Sequence, residues 1–567
     1  MTALADHLVL RPAPPHHEIT APLQPAGGRW LRLGMAAVAL VLLLGTAWFA
    51  FVVPATPGRR TRSSGDLIDR LWLWRAAAAH APVPRSPLVV GISLIAVSSA
   101  MFAACAAAVA MVWRRNSRGL LAFVYLIAAC CSLLTVAALP TQTSDVYDYT
   151  LFARVVTDHD GRAFHDVPDR YPDDPIYPYS SHQYTGRPDN KLPVWTATSI
   201  GVAAVAGEDP VANLLAMRFT LACAGLGSLL LLARILRRVR APALLSGVAL
   251  LALNPIVLVY GPSKTDSLMV LLMLAGIAAA LEDHEHGATA LLVLSALVKL
   301  ISAPVLALYL CLQVRRRGWR AGIDVAVAVA VAVGTYLPFS GLSLARDQLR
   351  LIGSSGSSLP SALSPLAGAL FVLILLASLV RLWRAGGPSM STERQVLSLL
   401  WCAVPPTLFV ALFLTRLGLP WYLLTAVTVA AVAGGSTVVA IVLTVSWSSF
   451  LFGWWYAVST RAHPLPDLFR ERFGLYLGPP VLVALALAFR AFRVYGTDAL
   501  LAVDHRPGDG DEPCPVCEAE PDEPAEPEQA GEAAGPTETE EAGEDEEAGE
   551  ADDTKSSGHD CVASSAS

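Results

Sequence analysis

The sequence carries little charge for its length. Only 16% of its 567 residues are Asp, Glu, Lys or Arg, whereas 54% are hydrophobic; soluble domains have roughly 25% charged residues. The mean hydropathy is +0.50, and apolar runs of about 18 residues or more recur along the chain. This composition excludes a soluble globular protein and predicts an all-α polytopic integral membrane protein with about 12–14 transmembrane helices.

The sequence also lacks the signatures of nucleotide and hydrolytic chemistry. It contains no P-loop, no GxGxxG after a strand, no HExxH and no nucleophile elbow. Its nine cysteines suggest no disulfide framework, and the single CPVC at Cys514 and Cys517 lacks the second ligand pair of a zinc site. We therefore expect neither a cofactor nor a bound metal ion.

The charges are unevenly distributed. From Asp504 onward the chain has 22 acidic and two basic residues, so the remainder carries 39 basic against 25 acidic residues. We expect a disordered cytoplasmic N-terminus (1–28), a transmembrane domain (29–498) and a disordered acidic cytoplasmic tail (499–567). The basic membrane domain suits anionic lipids and lipid phosphates.

Basic clusters at the ends of the apolar runs predict the orientation. Arg29 and Arg32 precede the first run, which we interpret as an uncleaved span, and RILRRVR follows the span at 210–233. The positive-inside rule then places both termini of this multi-pass cell-membrane protein in the cytoplasm. It also places the polar loop 140–195 on the extracytoplasmic side, because hydrocarbon cannot hold such a segment.

The polar loop opens with SDVYDY and supplies the first candidate site residues. Asp145 and Asp148 are three residues apart and share one face of a helical turn, where a carboxylate can serve as a general base. A helix cap is the structural alternative for Asp145, and an interfacial belt is the alternative for the tyrosines. Further candidates for binding a phosphate or a sugar are Tyr147, Tyr149, Arg154, His182 and Lys191.

Three later segments carry polar residues at the outer ends of apolar runs. GPSKTD contributes Lys264 and Asp266, of which Asp266 is also a candidate helix cap. Lys299 lies in ALVKLISAPVLAL, which we expect to be broken into two short segments near 299–304, because one crossing would place an arginine cluster outside. The candidates in TRLGLPWY are Arg416, Trp421 and Tyr422.

The short apolar segment 194–206 has too few residues to cross a bilayer. We expect it to lie flat at the outer interface, with Trp195 as an aromatic anchor.

Taken in order, four segments resemble the GT-C glycosyltransferases, and more narrowly the polyprenyl-phosphate-mannose-dependent α-(1→6)-mannosyltransferases of bacterial cell envelopes. The segments are SDVYDY, NPIVLVYGPSKTDSLM, ALVKLISAPVLAL and RLGLPWYLL, and the likeness covers roughly residues 30–495. It implies a metal-independent, inverting transfer of a hexose, with mannose as the first choice. The donor would be a polyprenyl-phosphate sugar and the acceptor an envelope glycan or glycolipid.

The resemblance assigns the role of base to the first-loop carboxylate, which is Asp145. Related enzymes often have two adjacent acids in this loop, whereas here the second acid is Asp148, so the choice between the two stays open. Two other functions are compatible with the sequence. A lipid-carrier flippase or exporter predicts polar residues along a transmembrane path, and a non-catalytic scaffold predicts a function that depends on the acidic tail.

Overall fold

The computed structural model describes residues 28–52, 87–113, 115, 117–138, 145–339, 364–385, 390–414 and 419–462. The acidic tail and the last part of the expected transmembrane domain, 463–498, lie outside these residues. Within them the chain is helical and contains no β-strand, which confirms the predicted all-α polytopic membrane protein.

Seventeen helices are described. The first eight are α1 Arg29–Ala47, α2 Pro87–Met111, α3 Arg118–Ala137, α4 Asp145–Thr157, α5 His182–Thr185, α6 Pro193–Ala206, α7 Pro210–Val239 and α8 Leu244–Ala252. The others are α9 Pro255–Tyr260, α10 Asp266–Leu281, α11 Glu285–Val298, α12 Ala303–Arg317, α13 Gly322–Tyr336, α14 Ser364–Ala385, α15 Thr392–Phe409, α16 Leu424–Ala433 and α17 Ser436–Ala462.

Among the described residues, seven helical segments are long and apolar enough to cross a membrane. An eighth span results if the bent pair α8–α9 is counted as one. Five shorter apolar helices complete the bundle, including α6, α10 and α11. The total of about 12–14 spans stays a prediction, since it depends on which short helices cross and on residues outside the described ranges.

Two breaks in the helices bring polar residues toward one end of the bundle. Between α8 and α9 the axis bends by 47°. Asn254 accepts a hydrogen bond from the Ile256 amide at 3.0 Å, and Pro255 follows as the first residue of α9, where its missing N–H costs no helical hydrogen bond. The break expected near 299–304 is also present, because α11 ends at Val298 and α12 begins at Ala303.

The hairpin α10–α11 has chemically different ends. Asp266 begins α10 and Lys299 follows α11 at one end. At the other end, Arg238 donates a hydrogen bond to the Leu281 carbonyl at 2.6 Å, and arginines at the ends of α7 and α12 pair with residues near the turn. We call this second end, formed by the C-terminal turns of α7, α12 and α14, the arginine end.

Trp195 is not an aromatic anchor at a lipid interface, so the prediction made for it is wrong. The residue is 1% exposed, and its ring meets that of Tyr149 edge-on at a centroid distance of 4.8 Å. Helix α6 packs against α4 and α7, so the indole fills space between α4 and α6 instead of anchoring the segment at a lipid interface. Burial of a large aromatic side chain against the loop helix outweighs the interfacial preference of tryptophan.

Candidate active site

The end of α3 leads the chain toward α4 and is fixed by a buried arginine. Arg218 of α7 donates hydrogen bonds to three carbonyls of that end, which are those of Thr135, Val136 and Ala138. The hydroxyl of Thr135 donates to the Leu258 carbonyl of α9 at 3.0 Å. Arg218 thereby satisfies carbonyls at the end of α3, among which that of Thr135 also accepts a hydrogen bond from the Ala138 amide at 3.2 Å. The Thr135–Leu258 hydrogen bond ties the segment before Asp145 to the segment before Lys264.

Asp145 is the first residue of α4 and forms an ion pair with Lys264. The lysine side chain is 1% exposed, whereas the Asp145 side chain is 24% exposed. Asp145 Oδ2 also accepts a hydrogen bond from the Tyr149 hydroxyl at 3.4 Å, one helical turn further on. One carboxylate oxygen is thus held by two donors, while the group as a whole stays partly open.

Asp266 and Lys299 form a second ion pair, with Nζ to Oδ2 at 2.7 Å. Here the exposures are reversed: the Asp266 side chain is 0% exposed, and the Lys299 side chain is 24% exposed. The other carboxylate oxygen, Oδ1 of Asp266, is buried without a hydrogen-bond partner in the described part of the chain. The cap expected from Asp266 is not seen, since its described side-chain hydrogen bond goes to Lys299.

The aromatic pair Trp421–Tyr422 covers both lysines. Lys264 Nζ lies 3.5 Å from the centroid of the Trp421 ring, and Lys299 Nζ lies 4.1 Å from that of Tyr422. Tyr260 packs against Trp421 at 5.3 Å between ring centroids. Cations on aromatic faces are stabilised by the ring quadrupole, so these rings help to hold two ammonium groups side by side.

A third lysine, Lys191, approaches the same cluster from the loop. Its ammonium lies 5.5 Å from the ring centroid of Tyr149 and 5.3 Å from that of Tyr184. Burial disfavours its charged form, but the combined attraction of Asp145, Tyr184, Asp189 and Asp148 outweighs burial, and the pKa of Lys191 is raised. Asp189 fixes the backbone here by accepting from the Lys191 amide at 2.9 Å, and burial raises the pKa of Asp189.

The charges of the first ion pair depend on its neighbours. Burial alone would raise the pKa of Asp145, but three nearby lysines outweigh it and hold this pKa below its usual value. These lysines are Lys264, Lys191 and Lys299. Burial lowers the pKa of Lys264 to about 8, although Asp145 favours its charged form. At neutral pH both members of the pair are therefore charged, and the lysine loses its proton just above neutrality.

Asp148 has a different environment from Asp145. Asp148 is 3% exposed, and its Oδ1 accepts a hydrogen bond from the Ser181 amide at 2.9 Å. The neighbouring Tyr147 stacks on Tyr179 at 5.5 Å and is also buried. Asp148 thus joins α4 to the loop around 179–181, which is a structural contact, and its charge also favours the charged form of Lys191, whereas Asp145 pairs directly with Lys264.

Arg154 lies nine residues beyond Asp145, in the last turn of α4, and belongs to a separate network. Its Nε donates to Asp174 Oδ2 at 3.0 Å, and its Nη1 forms an ion pair with Asp158 at 2.7 Å. His159 Nε2 also contacts Asp174, at 2.9 Å. The structure therefore does not bring Arg154 into contact with the lysine pairs, and its described polar contacts hold the loop after α4 together.

Two candidates cannot be placed in the site. Arg416 lies outside the described residues, and His182 begins the short helix α5 but its side chain is not described. Conversely, sequence reasoning missed Arg218, Tyr260 and Asp189. Arg218 sits within an apolar run, where an isolated arginine is itself a signal of a buried polar role. In the described ranges, no group of three or more His, Cys, Asp or Glu side chains is arranged to hold a metal ion.

The arrangement can accept a proton at Asp145 and attract an anion at Lys299 and Lys191. The family model described as alpha-(1->6)-mannopyranosyltransferase, N-terminal domain, matches residues 31–316, just over half of the chain and including both ion pairs. Neither a curated protein nor a solved structure matches the chain. By the extent of that match, the chain belongs to the MptA_B family of alpha-(1->6)-mannopyranosyltransferases.

Proposed function

We propose that this membrane mannosyltransferase moves mannose from a polyprenyl-phosphate donor to a glycan or glycolipid acceptor of the cell envelope. Asp145 accepts the proton of the acceptor hydroxyl as its oxygen attacks the anomeric carbon. The bond from that carbon to the phosphate oxygen breaks, and its electron pair leaves with polyprenyl phosphate. Attack opposite the leaving group inverts the configuration at the anomeric carbon.

One observation carries this proposal, namely the opposite exposure of the two ion pairs. In the first pair the carboxylate is open and the lysine is enclosed, whereas in the second pair the lysine is open and the carboxylate is enclosed. A base must reach a substrate hydroxyl, and a cation must reach a leaving phosphate. The open members, Asp145 and Lys299, supply these two groups on neighbouring elements.

The enclosed partners set the charge and position of the open ones. Lys264 keeps Asp145 ionised and fixes one of its oxygens, and Asp266 restrains Lys299 in the same way. Lys191 offers the phosphate a second cation, and Tyr422 and Trp421 offer apolar faces to a sugar or an isoprenoid.

The sidedness of the site is part of the proposal. The two ion pairs and the arginine end lie at opposite ends of the hairpin α10–α11. By the positive-inside rule the arginine end faces the cytoplasm, so the ion pairs face the outside and both termini are cytoplasmic. An extracytoplasmic enzyme has no supply of nucleotide sugars, which favours a sugar carried on a lipid.

Transfer by purified protein tests the proposal. Full-length protein is incubated with radiolabelled polyprenyl-phosphate mannose and a panel of envelope glycans and glycolipids. We expect label to move to at least one acceptor, and Asp145→Asn to lower turnover about a hundredfold or more. Asp283→Asn is the matched control, because this carboxylate lies at the arginine end and its loss should leave turnover unchanged.

Two outcomes would contradict the proposal. Turnover of the Asp145→Asn variant at the wild-type rate would show that Asp145 is not the base. Movement of labelled lipid across a vesicle membrane with no transfer to any acceptor would instead favour the flippase. Deletion of residues 504–567 should leave sugar transfer intact. A scaffold that depends on its acidic tail would instead lose its function.

A further inference from the structure

Asp189 is a buried carboxylate beside the candidate site, and the proposed transfer gives it no part. It is 6% exposed, and each of its oxygens accepts a hydrogen bond. Oδ1 accepts from the Lys191 amide at 2.9 Å, and Oδ2 accepts from the Thr196 hydroxyl at 2.7 Å. An asparagine in this place would present one oxygen and could accept from only one of the two donors. Asp189 therefore joins the segment that carries Lys191 to the first turn of α6.

The chain between Asp189 and α6 is short and stiff. Asp189 donates its own backbone amide to the Ala163 carbonyl at 3.2 Å, which ties this segment to the preceding part of the loop. Leu192 has an extended backbone, as sterics favour before a proline, and Pro193 is the first residue of α6. The backbone of Lys191 thus lies between two fixed points, and its position depends on both of them.

The same turn of α6 is also linked to Asp145, through Tyr149. Trp195 precedes Thr196, and its ring meets that of Tyr149 edge-on at 4.8 Å between centroids. The Tyr149 hydroxyl donates to Asp145 at 3.4 Å, and the ammonium of Lys191 lies 5.5 Å from the centroid of the same tyrosine ring. Two consecutive residues of α6 are therefore connected, one to the carboxylate and the other to the third lysine of the site.

We propose that Asp189 is a positioning residue, which holds Lys191 in place relative to Asp145 so that its ammonium meets the phosphate of the donor. This role rests on the proposed function, in which Asp145 takes the proton of the acceptor and the phosphate leaves. Asp189 touches neither substrate and acts through Lys191, because a cation stabilises a developing negative charge only where it is already in position. Against the lowering effect of burial, Asp145 and Asp189 are among the groups that raise the pKa of Lys191.

A link that only stabilised the loop would behave differently from a positioning residue. Its removal would lower the free energy of unfolding, and any effect on transfer would be the same whether or not Lys191 is present. Removal of a positioning residue changes the KM for the donor only while Lys191 is there to be misplaced. Displacement of a binding group by about 1 Å is enough to change the kinetics strongly, so the two roles can be separated by a double-mutant cycle.

Steady-state transfer by the full-length protein, measured over a range of polyprenyl-phosphate mannose concentrations, tests this role. We expect Asp189→Ala and Lys191→Met each to raise the KM for the donor about tenfold and to change kcat less than about threefold. The double variant should show the KM of Lys191→Met alone, because Asp189 then has no cation to position. Asp174→Asn is the matched control, since this buried carboxylate of the same loop holds Arg154, and its effect should add to that of Lys191→Met.

Substitutions of Thr196 test the same link with a smaller change, which guards against loss of folding in Asp189→Ala. Thr196→Val keeps the shape but loses the hydroxyl and should raise the KM for the donor about threefold, whereas Thr196→Ser keeps the donor and should restore the wild-type value. Equal effects of Asp189→Ala with and without Lys191, or a loss in kcat at unchanged KM, would overturn this role alone. Absence of transfer by the wild type would instead refute the proposed function, and this role with it.

Discussion

The two ion pairs of the site have the same composition but opposite exposure. Lys264 is enclosed beside an open Asp145, and Asp266 is enclosed beside an open Lys299. Neither the screening of an exposed ion pair nor the desolvation cost of a buried one explains why opposite members are exposed in two pairs of the same composition. In the proposed function, this asymmetry leaves one carboxylate and one ammonium available for a substrate.

In the proposed function, one residue of each ion pair acts on a substrate and the other residue holds it in place. Both enclosed partners, Lys264 and Asp266, are almost fully buried, and Lys264 also lies against the Trp421 ring. Removing an enclosed partner should disturb the protonation state or the position of the open member. Removing the open member should abolish the chemistry and leave a buried charge behind. The following predictions use this difference, in order of decreasing effect.

The largest effect is expected from Asp145→Asn, because it removes the base. Transfer should fall about a hundredfold or more, and the unpaired Lys264 should lower the free energy of unfolding by about 3 kcal/mol. The double variant Asp145→Asn/Lys264→Met should recover much of that stability but none of the transfer, as followed by thermal unfolding and by labelled product. Recovery of transfer in the double variant would show that Asp145 acts only as a structural partner.

Lys299→Met should have the next largest effect, since it removes the open cation. We expect transfer at low donor concentration to fall about tenfold to a hundredfold, with Lys299→Arg retaining more activity because it keeps the charge. Initial rates over a range of donor concentrations measure this change. Lys299→Met/Asp266→Asn controls for the buried carboxylate, and equal kinetics of the methionine and arginine variants would exclude a role for the charge.

The pH dependence of the KM for the donor should come from Lys264, the enclosed lysine. Lys264 has a lowered pKa of about 8, so its charge is present below that pH and lost above it. The KM for an anionic donor should therefore rise several-fold between about pH 7 and pH 9, whereas Asp145 stays ionised because its pKa is lowered. In Lys264→Arg the rise should disappear, and an unchanged profile in that variant would assign the titration to another group.

The smallest effect is expected from Asp148→Asn. The Ser181 amide donates to Asp148, and an asparagine side-chain oxygen can accept the same hydrogen bond. Transfer should change less than about threefold, in contrast to the Asp145 variant measured in the same assay. A loss as large as that of Asp145→Asn would reverse the assignment of the base, which the spacing of the two acids leaves open.

Much of the site was predictable because polar residues are conspicuous in apolar surroundings. Asp145, Lys264, Asp266 and Lys299 each follow or interrupt an apolar run, and hydrocarbon cannot accommodate such residues without partners. Which of these residues form ion pairs with one another was not predictable from the sequence. Asp145 pairs with a lysine 119 residues away, and such a pairing depends on how α4 and the end of α9 meet in three dimensions.

Arg154 and Trp195 lie in other surroundings than the sequence predicted, and the reason is the same for both. Arg154 was expected to meet a phosphate, but Asp158 and Asp174 are its described acidic partners. Trp195 was expected at a lipid interface, but it is packed against Tyr149. Both side chains are amphipathic, so their sequence context is compatible with a lipid interface and with a folded loop, and only the packing of residues 145–209 distinguishes the two.

The short helices of the hairpin have a consequence for the shape of the surrounding bilayer. Helix α10 has 16 residues, which corresponds to ~24 Å at ~1.5 Å per residue, against a hydrocarbon thickness of ~30 Å. In the proposed orientation, with the arginine end at one boundary of the hydrocarbon and α10 perpendicular to it, Asp266 and Lys299 would lie ~6 Å short of the other boundary. A lipid headgroup that reaches Lys299 would then have to sink below its neighbours, and we expect the leaflet to form a shallow depression around the entrance.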